Sequence, residues 1–251
     1  MNEKKWLGRG KDLTDQQKRQ FENGRNKNLS YVTGVSDQGY PFAPSPNYNP
    51  SERTKGDIHG VVLHTTEGWD GGIQTLINPS REASAHYGVE RDGTIIQMVN
   101  EKDIAWHGGS SVNTWSVGIE VAGFTKRPDN FSHGGKIQTG NIFIEDIGFS
   151  DAQIKSLAKL VAEITKRYNI PVDRKHIFGH AHTGRCGSQP KATPSNPLLN
   201  EQKGGRSCHY DMGETFQWDR FISLVKRYRY GTNPIWYAGI GGLVYWFLRK
   251  K

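Results

Sequence analysis

Apolar and polar positions divide the chain into a polar start, a patterned middle and an apolar end. Gly60-Val61-Val62-Leu63-His64-Thr65-Thr66 is an unbroken apolar run closed by a histidine and two threonines. Such a run predicts a short strand buried on both faces, and the polar residue at its end falls at the rim of a sheet. Ser116-Val117-Gly118-Ile119-Glu120-Val121 predicts a second buried strand, this one carrying a carboxylate. Between them, Ala85–Glu90 and Thr94–Val99 flank Arg91-Asp92-Gly93, and Asp-Gly between two β-rich runs predicts a hairpin. A short helix is expected from Ile73 to Asn78, and Ile104–Gly109 reads as a loop. The clearest helix starts after Ser150, a plausible N-cap. Ile154, Leu157, Leu160, Val161, Ile164 and Tyr168 then recur at three and four residues, and Asn169-Ile170-Pro171 ends the pattern. Ile177-Phe178-Gly179-His180 reads as a strand end, and Trp218–Tyr228 as a second helix. Two Gly-rich stretches, Gly123–Phe149 and Ala181–Ser207, read as an insertion and a long loop.

The ends differ from this middle. Residues 1–55 are polar, with a short helix expected over Thr14–Phe21 and three prolines between Tyr40 and Asn47. They are read as an arm, extended over the domain or disordered, with too few apolar residues for a core of its own. Residues 56–230 form the expected globular domain, and 231–251 a tail. Pro234–Leu248 is nearly all apolar and is followed by Arg249-Lys250-Lys251. As a helix its fifteen residues reach roughly 22 Å, short of the ~30 Å hydrocarbon core. Its aromatic ends and basic terminus suit a membrane interface. Two readings stand: a membrane anchor, or a segment docked on protein.

The chain has 251 residues, about a third of them apolar, and a formal net charge of +8. That balance favours an anionic partner such as nucleic acid, an acidic membrane surface or an anionic cell-wall polymer. The charge is spread along the chain, so no nucleic-acid face is assigned. The two cysteines, Cys186 and Cys208, have no zinc-knuckle spacing, and whether they pair, bind metal or stay thiols is open. The N-terminal basic residues have no apolar stretch behind them, so no cleavable secretory signal is expected.

The chemistry concentrates where apolar runs stop. His64 and His180 each close one, and Asp211 follows later. Alone, such a histidine reads as structural; two with a carboxylate have the composition of a three-ligand zinc site with an open position for water. Glu120 sits in a run that should be buried, where a carboxylate is costly unless paired or functional. It is either one half of an ion pair or a general base acting on an activated water. His209 lies two residues before Asp211, so on an extended chain both point the same way. It is either a surface histidine or a cation beside a developing oxyanion. His107, with Trp106, is the best candidate to line a substrate groove.

These motifs, in order, resemble a family. Val62-Leu63-His64-Thr65-Thr66, Ser84-Ala85-His86-Tyr87 with Arg91-Asp92-Gly93-Thr94-Ile95, Ala105-Trp106-His107-Gly108-Gly109, Ser116–Gly123 and Ile177-Phe178-Gly179-His180 are similar to the zinc-dependent type-2 N-acetylmuramoyl-L-alanine amidases. That family includes AmpD-like enzymes, phage amidases and peptidoglycan recognition proteins. The resemblance covers residues 56–228. It implies an α/β (α+β) fold, a mixed central β-sheet flanked by helices, with Zn2+ in a groove on one side. It implies His64 and His180 as metal ligands and Glu120 as the base. A lysine motif and an aspartate or cysteine ligand are expected soon after His180, and here the chain departs from the pattern. The match lies at His209-Tyr210-Asp211-Met212-Gly213 followed by Phe216-Gln217-Trp218, which makes Asp211 the third ligand and puts His209 in the lysine's place. Two other registers stay open, one at Lys191-Ala192-Thr193-Pro194 and one with Cys208 on the metal. The implied activity is cleavage of peptidoglycan or muropeptides between N-acetylmuramic acid and L-alanine; the alternative is a non-catalytic peptidoglycan binder of the same fold. The implied setting is cytoplasmic or phage-associated, with membrane attachment through Pro234–Leu248 as a further expectation.

Overall fold

A computed structural model describes residues 30–67, 72–123, 149–183, 211–212 and 216–231. Its strands are β1 (Gly34–Val35), β2 (Pro41–Phe42), β3 (Tyr48–Asn49), β4 (Gly60–Thr65), β5 (Tyr87–Val89), β6 (Ile95–Gln97), β7 (Ile104–Ala105), β8 (Ser116–Val121) and β9 (Ile177–Gly179). Its helices are α1 (Gly72–Thr75), α2 (Ser110–Asn113), α3 (Asp151–Tyr168) and α4 (Trp218–Tyr230). Seven strands form one sheet in the order β1-β2-β6-β5-β8-β4-β9, and β3 pairs with β7. The sheet is mixed: β5, β8, β4 and β9 run parallel, while the β5–β6 hairpin is antiparallel.

The period of two along β4 and β8 separates the faces. Val61, Leu63, Val117, Ile119 and Val121 join Tyr87, Val89 and Ile177 in the main core, against Leu157, Leu160, Val161 and Ile164 of α3 and Phe221 and Val225 of α4. Val62 and Phe178 pack with Val112 and Trp115 on the opposite face. His64 and Glu120 share that second face, so the long helices α3 and α4 cover one side of the sheet and the polar residues come out on the other.

Helix α3 is seated by its own first turn. The Ser150 hydroxyl accepts from Gln153 N–H at 3.0 Å, and Ser150 N–H donates to Gln153 Oε1 at 3.4 Å. This capping box satisfies two backbone donors, and losing such a cap costs about 1 kcal/mol. The Gln153 amide also donates to the carbonyls of Val89 and Ala122, tying the helix start to the ends of β5 and β8. Asn169 closes the helix in the left-handed conformation.

The segment before residue 56, expected as an arm extended over the domain or disordered, carries β1 and β2, which join the seven-stranded sheet, and β3, which pairs with β7 in a separate two-stranded sheet. Backbone bonds hold this segment, as in Ala43 N–H to Gln97 O and Ser45 N–H to Met98 O, both 2.9 Å. The helix expected over 73–78 is one turn, α1, followed by a 3-10 turn at Pro79–Arg81 that Asn78 caps through Ser80 N–H. The Thr14–Phe21 helix, the bulk of both Gly-rich stretches, Cys186, Thr193, Cys208, His209 and Pro234–Leu248 lie outside the described residues. Among the described residues no helix is long and apolar enough to cross a membrane.

Candidate metal centre

His64 is the fifth residue of β4, and Glu120 stands opposite it on β8. On the other side β9 pairs Gly179 with Leu63, so His180, the next residue, emerges beside His64. A 3-10 turn at His180–His182 directs the chain away. Asp211 arrives from a distant part of the chain and is fixed by its neighbour: Met212 is fully buried in the main core. Ala181 N–H donates to the Asp211 carbonyl at 3.1 Å. A Cβ on Gly179 would stand 1.9 Å from the Met212 carbonyl oxygen, so only glycine lets the two backbones meet there.

Three ligand atoms converge. His64 Nδ1 lies 3.0 Å from His180 Nδ1 and 3.4 Å from Asp211 Oδ2, and His180 Nδ1 lies 3.5 Å from Asp211 Oδ2. Metal–ligand bonds of about 2.0–2.2 Å at the tetrahedral angle put ligand atoms about 3.3–3.6 Å apart. Both distances to the carboxylate fall within that spacing and the imidazole–imidazole distance lies about 0.3 Å under it; the donors, two imidazoles and a carboxylate, are those zinc accepts. Burial pushes the Asp211 carboxyl up, but the charge and hydrogen bonds of His180 and His64 outweigh it and hold the group well below the usual carboxylate range.

Glu120 completes the set. The residue keeps partial exposure, yet its Oε2 is sealed and has no hydrogen-bond partner among the described residues. The ion pair that the sequence left open is absent there. Burial, followed by the charge of Asp211, pushes the carboxyl up to about 8, with His180 opposing. A desolvated carboxyl facing three metal-ligand atoms is placed to take up and release a proton.

The two groove candidates separate. Trp106 is partly exposed, and its indole N–H donates to Asn49 Oδ1 at 3.2 Å. His107 instead stands behind His64: it is 7% exposed, and its Nδ1 lies 3.1 Å from His64 Nε2. It fits there because a Cβ on Gly118 would stand 2.3 Å from its ring. Burial, with the imidazoles of His64, His86 and His180 and the Arg53 cation, holds His107 well below the ordinary histidine range. An isolated glycine inside a strand marks a close approach, and Gly118 was the signal for it.

A second cluster braces this layer. His86 accepts from Gly118 N–H at Nδ1, which puts its proton on Nε2 toward the Asp103 carbonyl. Arg53 is buried beside it, with Nη2 at 2.7 Å, and donates to the carbonyls of Asn113, Ser116 and Glu101. Nothing in the polar run around Arg53 marks this role in the sequence.

Three N/O donors that could hold a metal ion, with a carboxyl beside them, are the groups a metal-dependent hydrolase needs. Residues 54–196 match the family model described as N-acetylmuramoyl-L-alanine amidase; this is more than half of the chain, which belongs to that family. The matched segment holds His64, His107, Glu120 and His180, while Asp211 lies beyond it. The chain is 31% identical over 150 residues to the 1,6-anhydro-N-acetylmuramyl-L-alanine amidase AmpD of Haemophilus influenzae, a match covering 57% of this chain and 59% of AmpD. It is 27% identical over 187 residues to N-acetylmuramoyl-L-alanine amidase A of Achromobacter lyticus, covering 73% of this chain and 90% of that protein. The chain thus spans under two thirds of the length of AmpD. Among solved structures, the Staphylococcus aureus hydrolase AmiA in complex with its ligand aligns with a TM-score of 0.48 at 14% identity, covering 89% of this chain and 95% of that one.

Proposed function

We propose that this chain hydrolyses the amide bond between N-acetylmuramic acid and L-alanine, in peptidoglycan or its soluble fragments, at a zinc ion held by His64, His180 and Asp211. The observation that carries the reading is the ligand triangle with the unpartnered Oε2 of Glu120 beside it. A zinc ion in the triangle supplies Lewis acidity and makes water a stronger acid. Glu120 takes the proton of the attacking water at Oε2 and returns it to the nitrogen of the departing alanine, so one carboxyl serves as base and then as acid. His209 is assigned to the oxyanion and Trp106 to substrate contact. A purely binding role, the rival reading, leaves the full ligand set and the costly Glu120 without a task.

The test is incubation of purified peptidoglycan with the zinc-loaded chain, counting new alanine amino termini and new reducing sugar ends. The expected result is new alanine termini alone, with Glu120→Gln keeping its zinc and losing about 10²–10⁴-fold in rate. New reducing ends, or near-full hydrolysis by the zinc-bound variant, would sink the reading.

A further inference from the structure

Metal binding uses one edge of the His64 ring, and the other edge is also occupied. We propose that His107 is a positioning residue that selects the tautomer of His64, through a hydrogen-bond chain from His64 to the carbonyl of Val112. The proposal rests on the metal-centre reading above.

The direction of each bond follows from the last. A metal takes a lone pair, so ligation at Nδ1 leaves the His64 proton on Nε2. That nitrogen lies 3.1 Å from His107 Nδ1, which must then accept. A neutral imidazole carries a single N–H, so the His107 proton sits on Nε2. This nitrogen faces Ser116 Oγ at 3.4 Å, the longest link. The Ser116 hydroxyl in turn donates to the Val112 carbonyl at 2.7 Å. A carbonyl only accepts, and the metal end demands a lone pair, so both ends impose the same polarity. With the His64 proton on Nδ1 instead, the ligand atom would be blocked and every link would have to reverse, leaving Ser116 with nothing to donate to the carbonyl.

The surroundings hold His107 in place. Asn113 Oδ1 accepts from His107 N–H at 3.2 Å and Gly108 N–H at 2.7 Å, which fixes the loop. Gly118 makes room for the ring on one side, and the His86 ring stands at 5.7 Å on another. Partners that orient a ligating imidazole typically carry about 10–100-fold of metal affinity.

The test uses the full-length chain with histidine nitrogens labelled, titrated with Zn2+ alone. Long-range nitrogen–proton spectra of the zinc-loaded wild type should show protons on Nε2 of both His64 and His107, with His107 Nδ1 bare. Chelator competition should show zinc affinity reduced about 10–100-fold in His107→Phe, which lacks the acceptor. His107→Asn, whose amide oxygen replaces Nδ1, should recover most of it. A proton on His107 Nδ1 in the zinc-loaded protein, or a folded His107→Phe with wild-type affinity, overturns the proposal. Where His107→Phe does not fold, the wild-type spectrum decides alone. A wild type that takes up no zinc ends the metal-centre reading and this proposal together, which is distinct from a zinc-loaded protein with reversed His107.

Discussion

Glu120 stands beside His64 across the parallel β4–β8 pair, with Oε2 cut off from water and from any partner among the described residues. An acid kept in that state destabilises the metal-free fold once it must ionise. Its native carboxyl is pushed up to about 8 from the ordinary 4.5, so between those values the native state holds a proton that the unfolded chain has released. Stability of the metal-free protein therefore falls as pH rises through that window, by up to about 1.4 kcal/mol per pH unit from this group. Glu120→Gln removes the slope. Urea unfolding in the presence of a chelator should find the variant more stable than wild type at pH 7.5 and equal at pH 4. Parallel pH profiles for the two proteins would show that the carboxyl is solvated after all.

The same carboxyl couples to the metal. A divalent cation beside it favours its ionised form, so zinc binding near pH 7 should expel its proton. Calorimetry of zinc binding in buffers of different ionisation enthalpy should show more protons released by wild type than by Glu120→Gln. Equal release in both would place Glu120 too far from the metal to act on its water.

Gly179 is where the backbone beside the candidate metal centre crosses the buried Met212. Gly179→Ala drives a methyl into the Met212 carbonyl, 1.9 Å away, and moves the segment that carries Asp211. Chelator competition should show zinc affinity lowered by on the order of 10–100-fold. Gly34→Ala, where a Cβ meets nothing within 4 Å, should leave affinity unchanged. Wild-type affinity in Gly179→Ala would mean that Asp211 does not need this crossing.

His86 adds an acid limit. Burial and then the Arg53 cation hold it well below the ordinary 6.5, so it stays neutral in the native state. The unfolded chain takes up the proton as pH falls below 6.5, and stability is lost in that direction, by up to about 1.4 kcal/mol per pH unit. Unfolding free energies of the metal-free protein between pH 7 and 5 should show a smaller loss in His86→Gln. An unchanged loss would assign the acid sensitivity elsewhere.

What the chain makes legible follows from how each element is stabilised. β4, β8 and α3 were readable because buried strands and amphipathic helices write their burial as runs and periods. His64, Glu120 and His180 stood out because each interrupts such a run. β1, β2 and β3 left no such trace: two residues each, joined by backbone bonds that any side chain allows. His107 reads as a loop residue, and its burial comes from β8 lying beneath it. Glu101 is not singled out by any pattern in the sequence; it accepts from Tyr87, Arg167 and Tyr168, partners brought together only by the fold. Asp211 was reachable only through the family resemblance, by its position before Phe216-Gln217-Trp218, and the structure holds it through the burial of Met212.

The most direct test of the metal centre is the zinc content of the purified wild type, Asp211→Ala and Cys208→Ala. The ligand triangle expects about one zinc per chain in wild type and in Cys208→Ala, and loss in Asp211→Ala. Zinc kept by Asp211→Ala and lost from Cys208→Ala would contradict the account, giving the third ligand to the thiolate and leaving Asp211 as a neighbour.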